Sequence, residues 1–117
     1  MNRGGGKSGF SSRQHNGKEE GIVEEEGVMY VRGYRHIAKV AHALANETRT
    51  RIIELLASGP KTLDELSEVL GQSKANISSQ IRKLEEIGIV VPRYQPGDRG
   101  IRKTVELRAK RIVLLLE

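Results

Sequence analysis

Apolar residues recur at the three- and four-residue spacing of an amphipathic helix in the middle of the chain. Residues 34–45 form a first stripe of this kind, and Asn46 then interrupts the pattern. Asn46 can cap a second helix, whose apolar positions lie within residues 52–56 and which must end at Gly59-Pro60. The spacing therefore predicts two helices before residue 60.

Two further helices follow, and capping residues mark their ends. Thr62 and Glu65 have the spacing of a capping box, in which each side chain accepts a hydrogen bond from the backbone amide of the other residue. Gly71 closes this short third helix. Residues 73–87 are predicted as a fourth helix, which Gly88 ends. A short helix, a tight turn and a longer helix are the order found in a helix-turn-helix.

After residue 88 the apolar period changes to alternation, which is typical of strands. The cluster at residues 96–100, Pro-Gly-Asp-Arg-Gly, predicts a turn, so residues 89–108 are expected to form a β-hairpin. On the returning strand, we expect the buried face to carry Ile101, Val105 and Leu107. Lys103 is the polar exception on this face. The other face is expected to be solvated: Arg102, Thr104, Glu106 and Arg108.

Three segments have patterns that leave their structure open. Residues 1–21 are rich in glycine, serine and basic residues, and we expect a disordered tail because such a composition buries little apolar surface. Residues 22–33 are ambiguous, since 28–31 fit either a short strand or the lead into the first helix. Residues 112–116 are too uniformly apolar to classify as strand or helix, and we expect them to pack on the core or on a second subunit.

Composition adds a class of partner and removes several kinds of chemistry. The 117-residue chain fits one compact domain, residues 22–117, and its formal charge of +5 favours polyanionic partners. Cysteine is absent, so disulfides, thiolate metal sites and thiol nucleophiles are excluded. No apolar run approaches the roughly 20 residues that cross a bilayer, and no secretory signal opens the chain. We therefore expect a cytoplasmic protein without membrane contact.

Two stretches resemble the ArsR family of winged-helix regulators, in the archaeal-type form without metal-sensing cysteines. Residues 43–56, ALANETRTRIIELL, are similar to that family's second helix, and residues 77–90, ISSQIRKLEEIGIV, to its recognition helix and exit. The resemblance covers residues 37–108. It implies a winged helix-turn-helix, mainly α with three to four helices and a small β-hairpin. It also implies a homodimer on a pseudo-palindromic double-stranded DNA operator, usually with a repressor role. The helix at residues 34–45 and the segment at residues 112–116 offer more apolar surface than the core needs, so we expect dimerisation elements at both ends of the domain.

The helix at residues 73–87 would then be the recognition helix in the major groove. Its outward face presents six polar candidates: Ser73, Lys74, Asn76, Ser79, Gln80 and Lys83. The amides of Asn76 and Gln80 can pair with adenine, the hydroxyl of Ser79 with several base edges, and Lys74 with guanine or phosphate. We expect base contact by Ser79 and Gln80. For Asn76, base contact and plain solvation both stay open.

The remaining DNA-binding candidates are one serine and three arginines. Ser78 matches a position where the family commonly has serine, and its hydroxyl fits either a phosphate or the helix backbone. Arg93, Arg99 and Arg102 flank the turn of the hairpin, the wing at residues 89–108. A guanidinium there can bind phosphates or enter a narrow minor groove. The alternative is a charged edge strand that opposes aggregation.

Metal binding and catalysis find no support in the sequence. His36 and His42 are six residues apart, which places them about 240° apart around a helix, and His15 lies in the tail. No Ser-His-Asp arrangement, phosphate-binding glycine motif or pair of carboxylates in an apolar pocket is found. We expect no metal, no cofactor and no enzyme activity. Two alternatives to a regulator stay open: a winged helix that contacts protein, and an architectural protein that binds DNA without sequence preference.

Overall fold

The computed structural model describes residues 19–117. In chain order the elements of this part are β1 (Gly21–Glu25), β2 (Val28–Arg32), α1 (Tyr34–Leu44), α2 (Glu47–Leu56), α3 (Leu63–Leu70), α4 (Lys74–Glu86), β3 (Val90–Gly97), β4 (Gly100–Leu107) and β5 (Arg111–Leu115). The predicted tail, residues 1–21, lies outside the described residues apart from its last three positions. The last of these, Gly21, already opens β1, so the predicted boundary at residue 22 is one residue late.

The four helices lie where the apolar spacing predicts them, and side chains cap the first turns of α2, α3 and α4. The side-chain oxygen of Asn46 accepts a 3.0 Å hydrogen bond from the amide of Arg49 at the start of α2. The capping box at α3 is confirmed, with Thr62 and Glu65 exchanging bonds of 3.1 and 2.7 Å. Ser73 caps α4. Since these bonds satisfy amides that a first turn leaves unpaired, each of these three helix starts is set by local residues.

Aliphatic side chains from all four helices meet in one core. Fully buried members include Val40, Ile52, Leu66, Ile77 and Leu84. Each belongs to the helical stripe that the sequence predicts, and burying a side chain of this size contributes about 1.5–3 kcal/mol. Between α3 and α4, Gly71 has a φ of +65°, a left-handed conformation that glycine adopts without a steric cost. The predicted helix-turn-helix is therefore confirmed.

A three-stranded sheet, in the order β1-β2-β5, is the main difference from the expected fold. Strands β1 and β2 form an antiparallel hairpin that pairs Gly21 with Arg32 and Glu25 with Val28. Its turn, Glu26-Gly27, has positive φ at both residues, as a type I′ hairpin turn requires. Residues 28–31, left open between strand and helix lead, are thus part of a strand.

The segment at residues 112–116, also left open, lies mostly in β5, which pairs in parallel with β2 from Val28 opposite Arg111 to Arg32 opposite Leu115. This pairing joins the two ends of the domain, which no local periodicity can indicate. The expectation of a mainly α fold with only a small hairpin is therefore wrong in its β content. The fold remains a winged helix-turn-helix, with a second sheet added.

The β3–β4 hairpin forms as predicted, but its expected buried and solvated faces are wrong in part. Ile101, expected to be buried, is 76% exposed, and Lys103 beside it is exposed as well. Thr104, expected to be solvated, is buried next to Val105. Near its base the hairpin is held to Lys61 by two backbone bonds to Val105 of 3.1 and 2.8 Å. The tip carries no buried residue, so alternation there does not separate core from solvent.

Candidate nucleic-acid interface

Helix α4 turns its apolar side to the core and its polar side outward. Ile77, Ile81 and Leu84 are buried, as the sequence predicts. Among the candidate contacts, the exposed ones are Ser73, Lys74, Asn76 and Lys83, and the half-buried ones are Ser78, Ser79 and Gln80. The exposed candidates at the N-terminal end of the helix lie next to unpaired backbone amides, which favour a negatively charged ligand.

Lys74 is paired with an acidic neighbour on α3. Its Nζ lies 2.8 Å from Oδ1 of Asp64, and both side chains are largely exposed. A surface pair of this kind contributes about 0–1 kcal/mol. Because the pair is weak, the ammonium of Lys74 can exchange Asp64 for a phosphate at little cost.

Amide side chains along the outward face of α4 form a connected chain of hydrogen bonds. Nε2 of Gln72 donates to Oγ1 of Thr48 at 3.1 Å, and the amide of Asn76 donates to Oε1 of Gln72. Nε2 of Gln80 lies 3.5 Å from Oδ1 of Asn76. The amides of Asn76 and Gln80, which can both pair with adenine, therefore already have polar partners within the protein.

Arg49 closes this chain from inside the protein. The residue is only 4% exposed, and its guanidinium donates to Oε1 of Gln80 at 2.7 Å, to the carbonyl of Ala43 at 2.6 Å and to that of His42 at 3.1 Å. The two carbonyls belong to the last turn of α1, where the helix dipole favours a cation. Arg49 thus links the end of α1 to the outward half of α4.

Sequence reasoning missed Arg49, although a signal for it was present. Arg49 precedes the buried Ile52 and Leu56 by three and seven positions, so it belongs to the same stripe of α2. A cation on an apolar stripe indicates a buried hydrogen-bonding role, because an unpaired buried charge is costly.

Two other α4 candidates line recesses at the helix flanks. Ser78 borders a recess between α4 and β4, together with Lys103 and the buried Thr104. Lys83 borders a recess against α1, together with Lys39 and His42. Ser78 therefore lies on the side of α4 that faces the wing, whereas Lys83 lies on the side that faces α1.

The three wing arginines have different surroundings. Arg93 pairs with Glu106 across the hairpin at 3.1 Å. Arg99 is exposed in the turn at the tip, and Arg102 is exposed on the returning strand. Lys103, which the sequence placed on the buried face, instead has its ammonium 5.8 Å from the ring centre of Tyr94, within range of a cation–π contact. The hairpin tip therefore carries one more cation than predicted.

Arg102 also acts on the start of α3. Hydrogen bonds from the amide and the hydroxyl of Thr62 lower the pKa of the Glu65 carboxyl, and the charges of Arg102 and Lys61 lower this pKa further. The capping carboxylate is therefore fully ionised at neutral pH.

The described part of the chain offers no cluster for metal chemistry. Within residues 19–117, no three His, Asp or Glu side chains come together as ligands. His36 is half-buried and His42 exposed on α1, while His15 lies outside the described residues. No helix in the same range has the length and apolarity to span a membrane.

Known proteins match the segment of the chain that contains this polar face. Residues 46–91, from the α2 cap to the second residue of β3, match the family described as bacterial regulatory protein, arsR family. Over 69 residues, 59% of this chain, the sequence is 35% identical to the HTH-type transcriptional regulator NmtR of Mycobacterium tuberculosis. The middle of the chain is therefore similar to the helix-turn-helix segment of ArsR-family regulators.

Solved structures share the winged helix-turn-helix fold of this chain. The homodimeric winged helix-turn-helix DNA-binding domain of Mb0332 from Mycobacterium bovis, a possible ArsR-family transcriptional regulator, is 27% identical with a TM-score of 0.55, covering 63% of this chain and 65% of that one. The transcriptional repressor BigR from Xylella fastidiosa is 25% identical with a TM-score of 0.55, covering 65% and 72%. The chain spans about half the length of NmtR, 53%.

The family match has a defined position on the structure. It includes Arg49, Gln72, Asn76 and Gln80, so the whole amide chain lies within the matched segment. The wing tip and the β1-β2-β5 sheet lie outside residues 46–91. The family match therefore gives no information about the role of these outer parts.

Proposed function

We propose that the protein is a sequence-specific, double-stranded DNA-binding regulator of transcription that acts as a homodimer, without a cofactor and without enzyme activity. Helix α4 enters the major groove, and the β3–β4 wing contacts the backbone or the minor groove. The observation that carries the proposal is the amide chain on α4, in which Asn76 and Gln80 are solvent-accessible and already oriented. Amides held in this way fit the paired donor and acceptor of an adenine edge.

The charges around this face support DNA over a protein partner. Lys74 stands at the first turn of α4, while Arg99, Arg102 and Lys103 lie exposed on the wing. These cations flank the neutral amides on two sides, the arrangement expected when phosphates border the base edges being read. An interface for a protein would instead call for apolar anchors at its centre.

The solved structures with the same fold support a dimer and a repressor role. Mb0332 is homodimeric in its DNA-binding domain, and BigR is a transcriptional repressor. A two-fold dimer of this chain would present two copies of α4 to successive major grooves of a pseudo-palindromic site. Repression then results if this site overlaps a promoter. In this proposal the protein is cytoplasmic and associated with DNA.

Selection of bound fragments from random DNA tests the proposal directly. We expect enrichment of one inverted repeat whose half-sites are about 10–10.5 base pairs apart, centre to centre. The Asn76→Ala, Gln80→Ala double variant serves as the control, and it should lose the enrichment while still binding bulk DNA. Binding without any enriched sequence would favour an architectural protein. No binding at low salt would favour a winged helix that contacts protein.

A further inference from the structure

Strand β5 exposes an unusual amount of apolar surface for the edge of a sheet. It pairs with β2 on one side only, and none of its five residues is buried. Leu114 is 42% exposed, and Leu116 just beyond the strand is 80% exposed. Proteins ordinarily protect such edges with charges, prolines or bulges. Residues 112–116 contain none of these, so this edge calls for a partner strand.

The opposite edge of the same sheet is protected. Strand β1 and its turn carry three consecutive glutamates at residues 24–26. Two copies of β1 paired in parallel would bring these negative charges together, and antiparallel copies centred on Val23 would place Glu26 opposite Glu20. Like charges placed opposite one another disfavour pairing. The sheet thus has one acidic edge and one apolar edge, and only the apolar edge suits a second copy.

We propose that β5 pairs antiparallel with β5 of a second copy of this chain, so that the two sheets join into one of six strands. The inference deepens the homodimer of the proposed function and rests on it in that respect. It identifies the contact surface as the β5 edge, with the two-fold axis at Leu114. Two-fold pairing of identical edges closes on itself and leaves only the acidic β1 edges at the ends.

Charge complementarity selects this register. With the axis at Leu114, Arg111 of each copy lies opposite Glu117 of the other, and Ile112 lies opposite Leu116. A shift of the axis by one residue to Val113 would place Arg111 against Leu115 and leave both charges without partners. Glu117 already approaches Arg32 within one chain, at 3.5 Å with its side chain 80% exposed. The carboxylate therefore has room for a second cation.

Apolar surface next to the strand extends the same contact area. A shallow groove beside the end of β5 is lined by Tyr34, Ile37, Ala38, Leu115 and Leu116. Tyr34 is 73% exposed at the start of α1. A partner strand on the β5 edge would cover part of this groove, which adds hydrophobic burial to the backbone hydrogen bonds.

Because the sequence contains no cysteine, single introduced thiols test the register cleanly. In the proposed dimer, Leu114→Cys places two thiols directly opposite one another, at a Cβ separation of about 4.5–5.5 Å. We expect mild oxidation to give a disulfide-linked dimer. The matched control is Val23→Cys on β1, which is similarly exposed at 38% and should stay monomeric on a denaturing gel. A mixture of the Ile112→Cys and Leu116→Cys proteins should give the mixed dimer, and each protein alone should give little.

The charged pair provides a second test that needs no crosslink. Arg111→Glu should raise the dimer Kd at least about tenfold, because the two-fold axis repeats the Arg111–Glu117 contact. Adding Glu117→Lys to this variant should restore much of the affinity, whereas a purely local destabilisation would not be rescued. Circular dichroism establishes that each variant is folded.

The outcomes separate this inference from the proposed function. A dimer in sedimentation that selects an inverted repeat, but gives no Leu114→Cys crosslink, overturns the β5 contact and leaves the regulator in place. Crosslinking between Val23→Cys and Leu114→Cys proteins would show head-to-tail pairing, which also overturns it. A Leu114→Cys crosslink with charge-swap rescue supports the contact, even if no DNA sequence is selected.

Discussion

The guanidinium of Arg49 donates a 2.7 Å hydrogen bond to the side-chain oxygen of Gln80, which ties the inside of α2 to the outward face of α4. With that oxygen engaged, the NH₂ group of Gln80 points along α4 toward Asn76. One buried cation thus sets the direction of a side chain that we propose reads DNA. The Arg49–Gln80 pair therefore contributes both to stability and to the DNA recognition that we propose.

Gln80→Ala should therefore have two effects. It should relax discrimination at one base position by about 1–3 kcal/mol while non-specific binding changes little. It should also lower the free energy of unfolding by about 1–3 kcal/mol, since buried Arg49 loses an acceptor. Operator titrations and chemical denaturation measure the two quantities separately.

Two variants serve as controls for the Gln80 experiment. Gln80→Glu keeps an acceptor for Arg49 but removes the donor, so we expect near-normal stability with lost discrimination. Asn76→Ala, at an exposed position, should alter DNA binding with little change in unfolding. If Gln80→Ala weakened all sequences equally, Gln80 would touch only the DNA backbone, and our interpretation of α4 would be wrong.

The capping box at α3 predicts a pH dependence. Bonds from Thr62 favour the ionised form of Glu65 and lower its pKa in the folded protein. The resulting stability is fully present above the unfolded value of about 4.3 and is lost as the pH falls through the lower folded pKa. We expect the thermal midpoint of Glu65→Ala to lie below that of wild type at neutral pH. This gap should narrow in acid.

Glu65→Gln is the matched control for charge. Glutamine still accepts the amide bond of a capping box but does not titrate in this range. The difference in thermal midpoint between Glu65→Gln and Glu65→Ala should therefore stay nearly constant with pH. A wild-type advantage over Glu65→Ala that remained unchanged well below pH 4 would assign the effect to another group.

Zinc, nickel and cobalt should not change the affinity for DNA. The sequence has no thiolate, and residues 19–117 bring together no cluster of three ligands. Operator titrations with and without stoichiometric metal test this expectation. An effect of zinc that disappears in His42→Ala would instead reveal a site shared between two subunits.

The sequence predicted the parts of the fold that depend on neighbours along the chain. Asn46, Thr62 and Ser73 cap helices through bonds to residues three positions away, so local spacing suffices to find them. The β2–β5 pairing joins residues from opposite ends of the domain and leaves no local periodic signal. An apolar run such as residues 112–116 fits either strand or helix until its partner strand is known.

The candidate site was predicted from the same local information. The prediction again failed where contacts between residues far apart in the sequence decide the structure. The outward residues of α4 follow from helical spacing, and Asn76 and Lys74 are exposed accordingly. The buried role of Arg49 depends on carbonyls of α1 and on Gln80 of α4, which only the tertiary structure brings together. In the wing, Ile101 is exposed because the hairpin tip extends past the core, a distance that alternation does not encode.

In the wing, Arg99 is exposed in the turn and Arg102 is exposed on the returning strand. We expect them to bind phosphates or the minor groove, and thus to add affinity without reading the major groove. Removing one such phosphate interaction should flatten the plot of log affinity against log salt by about 0.9, and by twice that in a dimer. Folding should barely change, because exposed side chains at a hairpin tip support little packing.

The measurement compares the salt slope and thermal midpoint of wild type with the Arg99→Ala, Arg102→Ala double variant. Arg35→Ala is the matched control, since it removes an exposed arginine from α1, outside α4 and the wing. The control should keep the wild-type slope, because a charge that touches no phosphate releases no counterions at the interface. A folded double variant with an unchanged salt slope would show that the wing does not contact DNA. In that case the cations at residues 99–103 would be better explained as a surface for an acidic protein.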